Sequence, residues 1–152
     1  MVNILHKIGF KSSTQDAVYK ALTTIDGLKG WWTVDTKGQS DKVGGVIPFR
    51  FRLKDAEGGF DMKVQELKPG ARVLWEVMDG APEWIGTTIS WDLRQEGDWA
   101  ILMFKHAGWK EEVEFMHHCS TKWATFLLSL KAYVETGKGS PNPNDFKLDA
   151  WE

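Results

Sequence analysis

The period of the apolar residues changes once along this chain, and this change constrains the fold more than any other feature. Between residues 43 and 106 the apolar side chains recur at every second position, which predicts β-strands with one buried face. From about residue 111 they recur at every third and fourth position, which predicts a long helix buried along one side. The residues of this apolar stripe are Met116, Cys119, Trp123, Phe126, Leu127, Leu130, Tyr133 and Val134.

Glycine and proline mark where these elements end. Gly137 predicts the end of the long helix, with Pro141 and Pro143 beyond it. Segments 55–59 and 68–72 predict turns, the second through the Pro-Gly pair typical of a type II turn. The strands predicted around these turns span residues 44–53, 60–67, 73–77, 84–97 and 99–106.

The first thirty residues predict another strand followed by short helices. Residues 4–10 alternate between two faces, which predicts a strand. Residues 14–23 show helical spacing, and Ser12 or Ser13 is the predicted N-cap. Residues 26–32 are interrupted by glycine and predict a second short helix or a turn.

A sheet with one apolar face and a helix with one apolar stripe must bury these surfaces against each other. The predicted fold class is therefore α+β, with a curved antiparallel sheet of about six to seven strands gripping a long C-terminal helix. Two short helices follow the first strand. A length of 152 residues suits a single domain over 1–152. Residues 137–152 are predicted to be a loop-like tail, either with Phe146 and Trp151 as its anchoring aromatics or partly disordered.

Composition and charge argue against several classes of partner. The formal net charge is −2 and no run of Lys or Arg exists, so we expect no nucleic-acid partner. No apolar run approaches the roughly 18 residues of a membrane span, and the N-terminus resembles no signal peptide, so no membrane association is expected. The single cysteine cannot form an intramolecular disulfide, which favours a cytoplasmic location.

Several stretches resemble the SRPBCC or START-like (helix-grip) superfamily, in particular its branch of activator of heat-shock protein 90 ATPase homologues. The resemblance covers roughly residues 4–141. It implies a deep cavity between the sheet and the C-terminal helix, and a first strand that pairs with the last. The stretches that carry it are "SSTQDAVYKALT", "WW" at 31–32, "GGVIPFRF", "VQELKPGARVLWEV", "EWIGTTISWDL", "FKHAGW" and "CSTKWATFLLSLKAYVETGKGSP".

The stretch "MHHCSTKW" at 116–123 first suggests a metal site, but its spacing argues against one. His117, His118 and Cys119 are consecutive, and neighbouring residues on a helix point about 100° apart. Metal pairs on a helix need a spacing of three or four residues to converge on one ion. Cys119 lies on the apolar stripe and is expected to pack there. No nucleotide-binding glycine motif or nucleophile elbow occurs either, and we predict no metal, no cofactor and no catalytic residue.

Two other histidines are better candidates for a functional role. His6 and His106 each lie on the predicted apolar face of a strand, and the resemblance makes those strands neighbours. We expect both imidazoles to face the cavity as a diagonal pair, where they could orient a polar ligand group or move a proton. The alternative is that each bonds a backbone carbonyl or a water molecule inside the core.

Large apolar side chains on the predicted inner face form the candidate ligand-binding set. Either they line a residual cavity or they fill the core completely, and nine tryptophans in this chain are compatible with both. Trp31 and Trp32 are expected near the mouth of the cavity, as a lid or a surface for a partner. The candidate ligand-binding residues are His6, Phe49, Phe51, Met62, Val64, Trp75, Ile89, Trp91, Phe104, His106, Met116 and Trp123.

Three functions remain open from the sequence. The first is binding of a small hydrophobic or aromatic molecule in the cavity, which the resemblance and the aromatic inner face both favour. The second is a protein-interaction module, similar to a co-chaperone domain, without a small-molecule role. The third is a cyclase- or hydrolase-type enzyme that uses the cavity histidines.

Overall fold

The computed structural model describes residues 1–152 and shows seven strands and three helices. The strands are β1 (Val2–Lys11), β2 (Asp35–Thr36), β3 (Val46–Arg52), β4 (Glu57–Lys68), β5 (Arg72–Asp79), β6 (Thr88–Glu96) and β7 (Trp99–Trp109). The helices are α1 (Gln15–Thr23), α2 (Ile25–Trp31) and α3 (Glu114–Thr136). The predicted α+β class, with one antiparallel sheet and a long C-terminal helix, is confirmed.

The strands form a single antiparallel sheet in the order β1-β7-β6-β5-β4-β3-β2. Strands β3 to β7 are sequential neighbours, and β1 lies at the edge beside β7. His6 is opposite Phe104, and Ile4 is opposite His106, so the two histidines are diagonal neighbours as predicted. The β4–β5 register shifts twice, and such bulges increase local twist and bend a sheet around what it covers.

The predicted stops at Gly70 and Gly137 are confirmed. Gly70 has φ +71° and the N–H of Ala71 donates to the carbonyl of Lys68 over 2.8 Å, as a type II turn requires. Gly137 has φ +86° and its N–H donates to the carbonyl of Tyr133, which ends α3.

The N-cap prediction for α1 is wrong by one or two residues. Thr14 is the N-cap, because its hydroxyl accepts the N–H of Ala17 at 3.1 Å. The Ser13 hydroxyl instead donates to the carbonyl of Lys11. Thr24 caps the second short helix in the same way, by accepting the N–H of Gly27. The two helices therefore follow each other directly.

The sixth strand begins at Thr88, four residues later than predicted. Residues 84–87 form a turn, in which Gly86 has φ +85° and the N–H of Thr87 donates to the carbonyl of Trp84. Trp84 is buried, whereas Ile85 is 51% exposed, so the alternation predicted for this strand from residue 84 is wrong for its first residues. The two-residue strand β2 was not predicted because two residues are too short to show a period.

The core lies between the sheet and α3. The predicted stripe of α3 is confirmed from Met116 to Leu130, while Tyr133 and Val134 are only partly buried. Trp31 and Trp32 were expected near the mouth of the cavity, as a lid or a surface for a partner. Both are buried, Trp32 stacks on Trp75 with the ring centres 5.9 Å apart, and Trp32 also reaches the wall of the cavity described below. None of the three helices has the length and apolarity needed to cross a membrane.

Candidate ligand-binding cavity

A cavity of about 360 Å³ lies between one end of the sheet and the first half of α3. Its sheet wall is formed by the end of β3, the start of β4 and the loop that follows β5. Its opposite wall is α3 from Phe115 to Phe126. The cavity therefore lies where the strands end, and the middle of the sheet is closed by side chains.

Aromatic rings form much of the cavity wall. The rings of Phe60 and Trp84 stack with centres 3.9 Å apart, and Trp84 lies nearly parallel to Trp123 at 5.8 Å. Phe51 and Phe126 add further rings from β3 and α3, with centres 6.0 Å apart. Flat aromatic surfaces of this kind suit a flat apolar ligand, because stacking adds to the gain from burying its area.

Trp84 joins the loop after β5 to α3 through the cysteine of the stripe. Its indole N–H donates to Cys119 Sγ over 3.4 Å, and both side chains line the cavity. Burial raises the pKa of the Cys119 thiol to about 12. The thiol is therefore protonated near neutral pH and is not a nucleophile, since the thiolate is the reactive form.

His106 lies behind the cavity wall and is completely buried. The indole N–H of Trp123 donates to His106 Nδ1 at 3.1 Å, so the proton of the neutral ring is on Nε2. This Nε2–H donates to the hydroxyl of Thr87 at 2.8 Å, and that hydroxyl donates to the carbonyl of Trp84. Burial lowers the pKa of His106 to about 3. The ring has no free lone pair with which to accept a proton, so it does not act as a base. Its hydrogen bonds instead connect β7 to α3 and to the segment between β5 and β6.

His6 also faces α3 but does not reach the cavity. Its Nε2 lies 3.1 Å from the carbonyl of Ser120, to which it donates, and its ring lies 6.0 Å from that of Phe104. The side chain ties the edge strand β1 to the middle of α3. His6 therefore bonds a backbone carbonyl, which was the predicted alternative, whereas His106 bonds the side chains of Thr87 and Trp123.

Two of the twelve predicted ligand-binding residues, Phe51 and Trp123, line the cavity. The others pack in the core beside or behind it, because large rings fill the centre of the sheet: Trp75 and Trp91 lie 5.3 Å apart. The residues placed in the core rather than on the cavity wall are His6, Phe49, Met62, Val64, Trp75, Ile89, Trp91, Phe104, His106 and Met116.

Several cavity residues were missed, although the sequence contains signals for two of them. Pro82 and Gly86 bracket Trp84 and indicate a turn, which releases Trp84 from the alternation of the strand. Lys122 lies three residues after Cys119 and four before Phe126, at the border of the apolar stripe. A charged residue at that position is unusual and could have been singled out.

Residues 141–152 cross one side of the cavity, and we call them the C-terminal strap. Of the two predicted aromatic anchors, Phe146 is 77% exposed and does not hold it, whereas the half-exposed Trp151 packs on His118 with the ring centres 4.6 Å apart. The strap is held mainly by polar groups. Asn142 Oδ1 accepts the N–H of Arg52 at 2.7 Å, and Asn142 Nδ2 donates to the Arg52 carbonyl at 3.1 Å.

The other attachment of the strap is an ion-pair cluster on Lys122. The Lys122 ammonium lies 2.6 Å from Asp145 Oδ2 and 2.5 Å from Glu152 Oε1, and the two carboxylate side chains are only 3% and 4% exposed. Burial alone would raise the pKa of each carboxyl group. The hydrogen bonds and charge of Lys122, together with Lys147 at Asp145 and the N–H groups of Leu148 and Asp149 at Glu152, outweigh this and hold both pKa values below their ordinary range.

His118, Asp149 and Glu152 come close enough together to be considered as metal ligands, since their donor atoms lie within 4.8 Å. Glu152 is already occupied, because one oxygen binds Lys122 and the other accepts the N–H groups of Leu148 and Asp149. An ammonium group bound to one candidate ligand repels a cation. This arrangement favours a structural role for the three side chains.

Comparison with known proteins identifies the family. Residues 12–135 match the family described as Activator of Hsp90 ATPase homolog 1-like protein. The Aha1 dimer from Colwellia psychrerythraea is 46% identical, with a TM-score of 0.80, and the match covers 91% of this chain and 100% of that one. Comparison with curated proteins finds no match.

Two more distant structures share the fold. Protein SSP2350 from Staphylococcus saprophyticus is 16% identical with a TM-score of 0.72, and the match covers 91% of this chain and 95% of that one. CalU16 from Micromonospora echinospora is 18% identical with a TM-score of 0.68, covering 89% and 77%. The matched segment of 12–135 spans most of the chain, so this protein belongs to the Activator of Hsp90 ATPase homolog 1-like family.

Proposed function

We propose that the protein binds a small apolar or aromatic molecule in the cavity between the sheet and α3. The observation that carries this proposal is a concave, solvent-accessible space of about 360 Å³ between the sheet and α3, lined largely by aromatic side chains. Small-molecule sites are typically clefts of about 300–1,000 Å³ with mainly apolar walls. The volume falls at the lower end of that range and fits a ligand of one or two rings better than a long lipid.

Binding without catalysis fits the groups around the cavity. Burial and stacking on Phe60, Trp84 and Trp123 would supply the affinity, at about 25 cal/mol for each Å² of apolar surface removed from water. The Cys119 thiol is protonated, and both ring nitrogens of His106 are engaged in hydrogen bonds. Cys119 and His106 therefore supply no free nucleophile or base for the cyclase or hydrolase alternative, and the remaining histidine of the cavity wall, His118, is paired through Nδ1 with Asp149 at 2.6 Å.

The test is a calorimetric titration with 2-naphthol, a neutral two-ring compound. Ala81 lines the cavity, and Ala81→Phe would fill part of it. Ala17 is exposed on α1, so Ala17→Phe is the matched control. We expect Ala81→Phe to weaken binding at least about tenfold and Ala17→Phe to leave it unchanged. Absence of binding to the wild-type protein, or equal binding by both variants, would contradict the proposal.

A second role, association with another copy of the chain, is favoured by the outer face of the sheet. Leu5 on β1 is 64% exposed, and Met103 and Trp99 on β7 are 44% and 38% exposed. Leu5 is opposite Lys105, and Met103 is opposite Lys7, so apolar and basic side chains alternate across this pair of strands. The 46% identical Colwellia protein was solved as a dimer. We propose that the exposed patch formed by Leu5, Trp99 and Met103 on β1 and β7 contributes to a self-association surface.

Sedimentation velocity over a range of concentrations tests the second role. We expect the wild-type protein to form dimers and the double variant Leu5→Lys/Met103→Lys to remain monomeric, because four clustered ammonium groups would repel their counterparts. Val43 is 57% exposed but lies outside these strands, so Val43→Lys is the control. A monomeric wild-type protein at every concentration, or dimers of the double variant, would remove this role.

A further inference from the structure

The cavity contains one deeply placed cation, the ammonium group of Lys122. Its side chain is 15% exposed, and the ammonium lies 5.3 Å from the centre of the Phe126 ring. A shielded ammonium beside aromatic walls would, if unpaired, be a strong anchor for the carboxylate of an amphiphilic ligand. An anion without such a partner pays a large desolvation cost on entering an apolar cavity.

The C-terminal strap already occupies that anchor. Lys122 has three N–H donors, and three strap oxygens surround it: those of Asp145, Glu152 and the backbone carbonyl of Phe146. Each lies 2.5–2.6 Å from Nζ. The number of acceptors equals the number of donors, and none is left over for a ligand.

The other charged groups near the strap do not provide a free cation in place of Lys122. Lys147 lines the cavity, but its ammonium is paired with the second oxygen of Asp145 at 2.7 Å. Asp149 adds another carboxylate beside His118. Around the cavity the two ammonium groups of Lys122 and Lys147 thus face the two carboxylates of Asp145 and Glu152, and no positive charge is left over for an anionic ligand.

We propose that Asp145 and Glu152 act as built-in substitutes for a ligand carboxylate, so that the cavity accepts uncharged aromatic molecules and rejects anionic ones. This inference rests on the proposed binding function and adds the substrate class and the residues that determine it. The strap follows the 12–135 segment matched by the family, so this charge preference is assigned to this chain rather than to the family as a whole.

The test compares two ligands that share a ring system, 2-naphthol and 2-naphthoate, by equilibrium dialysis at neutral pH. We expect the wild-type protein to bind 2-naphthol at least about tenfold more tightly than 2-naphthoate. In the Asp145→Asn/Glu152→Gln variant the amide oxygens still accept hydrogen bonds, but the positive charge of Lys122 is no longer neutralised. Binding of 2-naphthoate should then strengthen about tenfold, so that the preference of the wild-type protein for 2-naphthol over 2-naphthoate is lost.

Asp149→Asn is the matched control, because it removes one strap carboxylate that is paired with His118 and not with Lys122. An equal gain of 2-naphthoate binding in the control and the double variant would overturn the inference. Equal binding of both ligands to the wild-type protein would also overturn it while leaving the proposed binding function intact. If neither ligand binds, the proposed function fails and the inference with it.

The single variant Glu152→Gln covers the case in which the double variant does not fold. It retains Asp145 on Lys122 and should show an intermediate gain for 2-naphthoate. No gain in a folded Glu152→Gln protein would contradict the assignment of Glu152.

Discussion

The two halves of the interface between the sheet and α3 differ in how they are filled. In the closed half, around the strand centres, Trp75, Trp91 and Phe104 meet edge to face at 5.3 and 5.0 Å, and each is at most 2% exposed. In the open half, at the strand ends, the same helix faces Gly58–Phe60 and Gly80 across the cavity. One helix thus closes a core with one part of its stripe and covers a cavity with the other.

The small residues of the open half are required by the backbone. A Cβ at Gly59 would lie 2.1 Å from the carbonyl oxygen of Phe49, and Gly80 has φ +137°, which side chains rarely tolerate. Larger residues therefore cannot replace glycine at these two positions. The cavity thus lies where the geometry of the strand ends requires glycine, whereas the strand centres are filled by Trp75 and Trp91.

Replacing one tryptophan of the closed half and one at the edge of the open half should give the largest difference in the free energy of unfolding. Trp91→Ala leaves a void in the closed half and should lower the free energy of unfolding by about 3–5 kcal/mol. The Trp91 indole N–H has no partner, so the cost is one of packing alone. Trp151→Ala, at the half-exposed edge of the cavity, should cost less than about 1 kcal/mol. Urea denaturation measures both, and similar losses would break the distinction between the halves.

Protonation of His106 should cause the next largest loss of stability. Its folded pKa of about 3 lies below the unfolded value, so between about pH 6.5 and 3 only the unfolded chain takes up this proton. Stability then falls as the pH falls, by about 2 kcal/mol between pH 6.5 and 5. His106→Gln should be less stable at neutral pH and lack this part of the dependence. An identical pH profile in the variant would show that His106 does not cause it.

The strand faces and the helix stripe could be predicted from the sequence because burial on one side imposes a period of two or of three and four. The same reasoning placed the ligand-binding set at the strand centres, where the inward residues are largest. The cavity depends instead on the small residues at the strand ends, and their positions follow no period in the sequence. His6 and His106 were correctly placed on the inner face, but their partners Ser120 and Trp123 are set by how α3 docks.

The strap was the least predictable part of the site. Of its two aromatic residues only Trp151 packs on another element, through His118, and its main anchors are Asn142, Asp145 and Glu152, which contact residues far away along the chain. Polar residues in a segment without regular structure usually indicate an exposed loop. Only the position of Lys122 on the border of the apolar stripe could have suggested that a carboxylate was needed nearby.

Replacing Lys122 or Lys147 in the open half should give a smaller difference in the free energy of unfolding. Lys122→Met leaves two buried carboxylates without their main partner and should cost about 1–3 kcal/mol, since the strap can move to expose them. The Lys147 side chain is 39% exposed, and Lys147→Met should cost less than about 1 kcal/mol. Urea denaturation at neutral pH measures both. Equal losses would mean that the strap is not held by Lys122.

The smallest effect is expected at Phe146. Its side chain is 77% exposed, so Phe146→Ala should change the free energy of unfolding by less than about 0.5 kcal/mol. A loss above about 2 kcal/mol would show that this ring anchors the strap after all.

Indole N–H resonances in a proton–nitrogen correlation spectrum, recorded while 2-naphthol is added, test the central claim most directly. Trp84 and Trp123 line the cavity, whereas Trp75 and Trp91 lie in the closed half and Trp99 lies on the outer face. We predict that the resonances of Trp84 and Trp123 shift most, in a saturable manner, and that the resonance of Trp99 does not shift. Shifts confined to Trp99, or no shifts at all, would contradict a ligand-binding cavity between the strand ends and α3.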